Sequence, residues 1–186
     1  MSRGTPKTVS QGTAVDQRTA EDDAVITPQR AVHRAELADG ITVQLAVPDT
    51  WEVLVPPDPA VAWLAVEPVE GQAFRSSVVL TYDHLDATMD LPTWQNGVDE
   101  AFEAGFTDWY LLDLERCALD GRVAARRLAT YTSTEGLSLT LEQWALLIGT
   151  LAISLTVTCD SPRYGEVASW AAGWTTELRI LEGGRS

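Results

Sequence analysis

Apolar and polar positions alternate with a period of two over most of this chain, and a period near four takes over twice. Ile41, Val43, Leu45 and Val47 alternate with Thr42, Gln44 and Ala46 and stop at Pro48-Asp49, which predicts a half-buried strand. Trp51–Val55 predicts a short strand closed by the proline-rich run 56–59, and Ala60–Val66 and Ser77–Tyr82 predict two more, separated by a turn at Glu70-Gly71-Gln72. The sheet therefore begins as a meander. At Asp90 the period changes. Asp90 is a candidate N-cap with Pro92 in the first turn, and Leu91, Trp94, Val98, Ala101 and Phe102 recur at spacings that predict an amphipathic helix ending near Gly105.

From Trp109 the two-residue period returns. It predicts strands from 109 to about 117, 122 to 132, 137 to 147 and 151 to 158, punctuated by Leu119-Asp120-Gly121 and Thr134-Glu135-Gly136. Asp160-Ser161-Pro162 then offers a cap and a first-turn proline, and Tyr164, Val167, Ala171, Trp174 and Leu178 form one stripe of a closing helix. Strands, one long helix, four strands and another long helix, segregated in this way, predict an α+β domain with an antiparallel, meander-rich sheet and long helices packed on it.

Met1 to about Val32 is rich in small and polar residues and has neither period, so residues 1–35 are expected as a flexible tail, 36–182 as a single domain and 183–186 as a C-terminal tail. The stretch holds no apolar run of signal-peptide length and no cysteine, which gives the expectation of a cytoplasmic protein. The one other membrane candidate, 145–157, is shorter than a crossing helix needs and is interrupted by Gly149, Thr150, Ser154 and Thr156, so no membrane insertion is expected.

Charge narrows the function. Of 186 residues, 27 are acidic and 13 basic, a formal charge of −14 that disfavours nucleic acid as a partner. Lys7 is the single lysine, so lysine-based Schiff-base or P-loop chemistry is excluded from the folded part. Local signatures of nucleophilic, zinc-dependent and nucleotide-binding enzymes are lacking, and neither a cofactor nor a metal is expected. His84, within Tyr82-Asp83-His84-Leu85-Asp86, reads as a solvated loop histidine, and the pairs Asp99/Glu100 and Asp113/Glu115 read as parts of an acidic surface. Cys117 and Cys159 read as reduced thiols.

The order of elements, together with Val47-Pro48-Asp49-Thr50-Trp51, Phe74 to Leu80, Leu119-Asp120-Gly121 before the Arg122 strand, and Leu139 to Trp144 before a threonine-rich strand and a final helix, resembles the PsbP/DcrB-like superfamily, in particular its actinobacterial LpqN-type proteins. The resemblance spans about Leu37 to Leu181. It implies an αβα layered domain that binds other molecules. Members include exported lipoproteins, photosystem-associated subunits and Eag-type chaperones of secreted effectors.

Two functions are therefore expected. The first is a noncatalytic adaptor or chaperone for a protein partner, an effector or component of a secretion or contractile injection apparatus. The alternative is a small-ligand-binding protein or an enzyme with a dispersed site. For the first, strand alternation nominates a hydroxyl-rich sheet face as the binding surface: Ser138, Thr140 and Trp144 on one strand and Ser154 and Thr156 on the next, with Trp144 as anchor and the intervening leucines turned toward the helices.

Overall fold

The computed structural model describes residues 29–68 and 71–183. Two antiparallel sheets and two helices make up the domain. The larger sheet holds seven strands: β3 (Glu52–Leu54), β4 (Val61–Val66), β5 (Ser77–His84), β6 (Thr107–Leu119), β7 (Arg122–Thr132), β8 (Ser138–Ile148) and β9 (Leu151–Asp160). Their spatial order is β3-β4-β5-β9-β8-β7-β6. The meanders predicted on either side of the first helix are thus joined through β9, which returns to pair with β5. The smaller sheet holds β1 (Arg30–Glu36), β2 (Ile41–Pro48) and β10 (Arg179–Glu182), with β2 in the centre.

Helix α1 (Leu91–Gly105) starts where its cap predicts, with the Thr93 amide donating to the Asp90 carboxylate at 2.9 Å. Helix α2 (Tyr164–Glu177) starts later than its signal. Ser161–Arg163 form a 3-10 turn first, and Asp160 makes no side-chain capping bond. The turn between β6 and β7 places both Asp120 and Gly121 at positive φ, 49° and 73°, the geometry that makes an Asp-Gly pair a tight hairpin.

The core lies between one face of the seven-stranded sheet and a second layer made of α2 and the small sheet. Leu80, Leu146, Leu155 and Val157 from the first meet Val43, Leu45, Val167 and Trp174 from the second. Trp51, Trp170 and Trp174 form a cluster at its border, Trp51 edge-to-face with the other two and those two tilted, with ring centroids 4.2 to 5.9 Å apart. At the start of α2, Arg163 makes a bidentate pair with Glu67, at 2.6 and 2.8 Å, which ties the helix to the loop after β4.

Two strands were not legible in the pattern. Residues 30–35 of the stretch read as a tail belong instead to a strand, because β1 pairs along β2 from Arg30↔Pro48 to Glu36↔Thr42. The positions of β1 that turn inward hold Ala31, His33 and Ala35, small or polar residues, while Val32 points outward with 69% of its surface exposed. His33 earns its place by lying against the Trp63 ring at 5.2 Å. Arg30 crosses α2 at Gly173, where a Cβ would lie 2.7 Å from the guanidinium, and pairs with Glu177 at 2.9 Å. Residues 1–28 lie outside the described residues. After α2, β10 uses Ile180 as its one buried side chain, too short a run to show a period. Residues 184–186 are likewise outside the described residues.

Candidate binding site

The hydroxyl-rich face predicted across the β8–β9 hairpin does not exist as one surface. Gly149-Thr150 is a two-residue loop, so Ile148 pairs with Leu151 and every even position of β8 faces an odd position of β9. Trp144 lies opposite Leu155 in the core and is 5% exposed. Thr140 lies on that same inner side, buried opposite Cys159, and donates to the Ser161 hydroxyl at 2.9 Å. Ser138 is exposed at the strand end, 3.0 Å from the same hydroxyl. Ser154 and Thr156 are on the opposite side, paired with Ala145 and Gln143. Ser154 is buried, and Thr156 accepts from the Gln143 amide at 3.1 Å.

That opposite side is the one α1 covers. Arg127, fully buried, reaches from β7 to the helix: its guanidinium donates to the Gln95 carbonyl at 2.7 Å, to Asp99 at 3.1 Å and to the Gln143 side chain at 2.7 Å. Burial pulls the Arg127 pKa down and Asp99 opposes it. At its C-terminal end α1 is held by rings, Phe102 on Trp109 at 5.0 Å and Phe106 on Tyr131 at 4.3 Å. Anchored at its middle and its end, the helix leaves a gap under its first turns.

The gap is a groove of about 380 Å³ between Leu91, Pro92, Gln95 and Asn96 of α1 and Leu114, Arg116, Val123 and Ala125 of the β6–β7 hairpin. Its walls are largely apolar, as in most binding pockets. Gln95 is 3% exposed, and among the described residues neither its Oε1 nor its Nε2 has a hydrogen-bond partner. Val123, on the floor, is 51% exposed.

Beside the groove runs one of the two edges of the large sheet, and among the described residues no further strand pairs with it. β6 is the last strand in the order, and most of its thirteen residues are exposed, among them Leu111, Leu112 and Leu114. Bulges interrupt its first half, between Thr107 and Tyr110 and between Leu111 and Asp113. From Asp113 to Leu119 its pairing with β7 is continuous. Such an edge presents alternate backbone N–H and C=O groups outward with no partner in the sheet.

The two faces of this segment differ. Leu114 and Arg116 lie on the groove side. Asp113 and Glu115 lie on the other, where Arg126 contacts them at 3.5 and 3.0 Å and the buried Glu142 at 2.6 Å. Burial works against the Arg126 charge, and the carboxylates around it raise its pKa above the ordinary arginine value. Tyr164 donates to the other Glu142 oxygen at 3.1 Å, and burial together with that carboxylate pushes the phenol up to about 12.

No protein-family model matches the chain, and no curated protein matches it in sequence. Solved structures do match. LpqN of Mycobacterium tuberculosis, described as involved in cell envelope biogenesis, superposes with a TM-score of 0.66 at 16% identity, over 82% of this chain and 91% of that one. Cyanobacterial PsbP (CyanoP) from Synechocystis superposes at 0.61 and 13% identity, over 91% and 98%. Mog1p of Saccharomyces cerevisiae, a Ran-binding protein, superposes at 0.50 and 15%, over 78% and 84%.

The fold is PsbP/Mog1-like. Within this PsbP/Mog1-like domain the titratable groups singled out in the sequence have structural surroundings. His84 closes β5 with its side chain half exposed, and its Nδ1 is 3.9 Å from an Asp39 carboxylate oxygen. Asp113 and Glu115, which share a strand face as their spacing requires, are both engaged by Arg126. Cys117 and Cys159 are free thiols, and burial pushes Cys159 up to about 12, which keeps it protonated and unreactive at neutral pH.

The β6 edge and its groove were missed in the sequence. The available signal was the run Tyr110-Leu111-Leu112-Asp113-Leu114, too apolar for a strand with solvent on its outer side.

Proposed function

We propose that this domain is a noncatalytic protein-binding module that takes an extended segment of its partner along the free edge of β6. The observation that carries the reading is the unbulged, exposed segment Asp113–Leu119 beside an open groove. Added strands gain affinity from backbone hydrogen bonds and specificity from pockets for alternate side chains, and this edge offers both. The PsbP/Mog1-like fold, shared with a protein described as Ran-binding, is consistent with protein recognition without catalysis.

A photo-reactive residue placed at Leu114, compared with one at the fully solvated Val55, tests the site at native expression level. The expected result is one discrete adduct from position 114, joined through a defined segment of one protein, and none from position 55. Adducts from 55 alone, or from neither position, would remove β6 as the binding edge. The identity of the joined protein also tests the narrower role, service in the cytoplasm to a secretion or contractile injection apparatus.

A further inference from the structure

Resting on the β6 reading, we infer that the partner segment is itself a strand of alternating apolar and basic residues, with the apolar side chains entering the groove under α1 and the basic ones facing Asp113 and Glu115. Side chains of a strand added to β6 must alternate between the two faces of the sheet, as those of β6 do. On one face the added side chains lie beside Leu114, over a groove floored by Val123 and Ala125 and roofed by Leu91 and Pro92. An apolar side chain there would cover surface that is now wet. On the other face three carboxylates, Asp113, Glu115 and Glu142, surround one guanidinium, that of Arg126. Asp113 and Glu115 keep about half of their side-chain surface exposed, so a lysine or arginine of the incoming strand can approach them.

Charge also decides between occupants. A second copy pairing antiparallel along the same edge would bring Asp113 and Glu115 toward their own counterparts, in a chain that already carries −14. An acidic segment meets the same repulsion. A basic strand meets complementary charge, which favours encounter and fixes which of its faces turns toward the groove.

Three seven-residue peptides, acetylated and amidated, test this on the intact chain: alternating Lys-Val-Lys-Val-Lys-Val-Lys, a block isomer with four lysines before three valines, and the alternating form with glutamate in place of lysine. Titration calorimetry gives affinity, and backbone amide hydrogen exchange shows where each peptide sits. The alternating basic peptide is expected to bind, to slow exchange within Asp113–Leu119, and to weaken about tenfold from low to high ionic strength. A comparable loss is expected in Asp113→Asn/Glu115→Gln, which keeps the shapes, and in Val123→Asp, which alters only the groove floor. Equal binding by the block isomer would overturn the alternating strand. Equal binding by the glutamate peptide, with 113–119 protected, would overturn the charge assignment while leaving β6 as the binding edge. Protection of 113–119 by none of the three, or by self-association of the protein alone, would overturn both the partner's chemistry and the β6 reading.

Discussion

Arg127 shows how one buried side chain decides where an element sits. Two of its three hydrogen bonds, to the Gln95 carbonyl and Asp99, tie α1 to the sheet, the third holds Gln143 of β8, and its guanidinium also lies 5.6 Å from the Phe102 ring centre. Removing it leaves the buried Gln143 oxygen and the mostly buried Asp99 carboxylate without this donor and frees the Gln95 carbonyl of its second one. Truncation of one member of such a buried pair costs about 3–5 kcal/mol. Arg127→Ala is therefore expected to lower the melting temperature by on the order of 10 °C for a domain of this size. Amide exchange should rise in α1 before it rises in β8 or β9. A melting temperature within about 2 °C of the parent would show that the aromatic contacts alone hold the helix. The sequence announced Arg127 only as a cation on a strand; that its partners lie 16 to 32 residues away is a property of the folded chain.

At the scale of elements, what was legible depended on how much pattern each element carried. β7 begins and ends at the predicted Arg122 and Thr132, because a positive-φ turn bounds it on one side and a glycine-containing loop on the other. α1 begins after its predicted cap. The registers were harder. Ending one strand at Leu147 instead of Ile148 lengthens the hairpin loop by a residue, pairs even positions with even ones, and moves Trp144 from the core to a surface. Alternation within a strand fixes two faces, but only the loop fixes which face of one strand joins which face of the next.

β1 escaped for another reason, since its contribution lies in pairing and in contacts of Arg30, His33 and Ala35 rather than in large apolar residues. Compared with a chain starting at Gln29, one starting at Leu37 loses seven paired residues, the cover over Trp63 and the Arg30–Glu177 bridge. It is expected to unfold at a clearly lower temperature and to show faster amide exchange in β2 and β10. Indistinguishable melting of the two chains would show that β1 is an accessory strand.

Across the whole molecule, net charge and the free edge oppose each other. An exposed strand with leucines at 111, 112 and 114 is a template for pairing with another copy, and proteins ordinarily blunt such edges with charge and bulges. Both devices are present here: two bulges in the first half of β6, and Asp113 and Glu115 in the second. The bulges do not respond to pH, whereas the net charge does. At neutral pH a charge of −14 repels like chains; near the pI of about 4.4 that repulsion vanishes, and the unbulged segment Asp113–Leu119 loses its protection. Sedimentation velocity should then find monomer at pH 7 and reversible self-association as the pH falls toward 4.4, with circular dichroism still native. Leu114→Lys places a cation on the edge that stays charged throughout this range, so each copy repels the other at the point of contact. It is expected to suppress association at pH 4.4 without changing the fold, whereas a lysine at the solvated Val55, adding the same charge elsewhere, should suppress it much less. Equal suppression by the two variants would mean that overall charge, and not the β6 edge, keeps the copies apart.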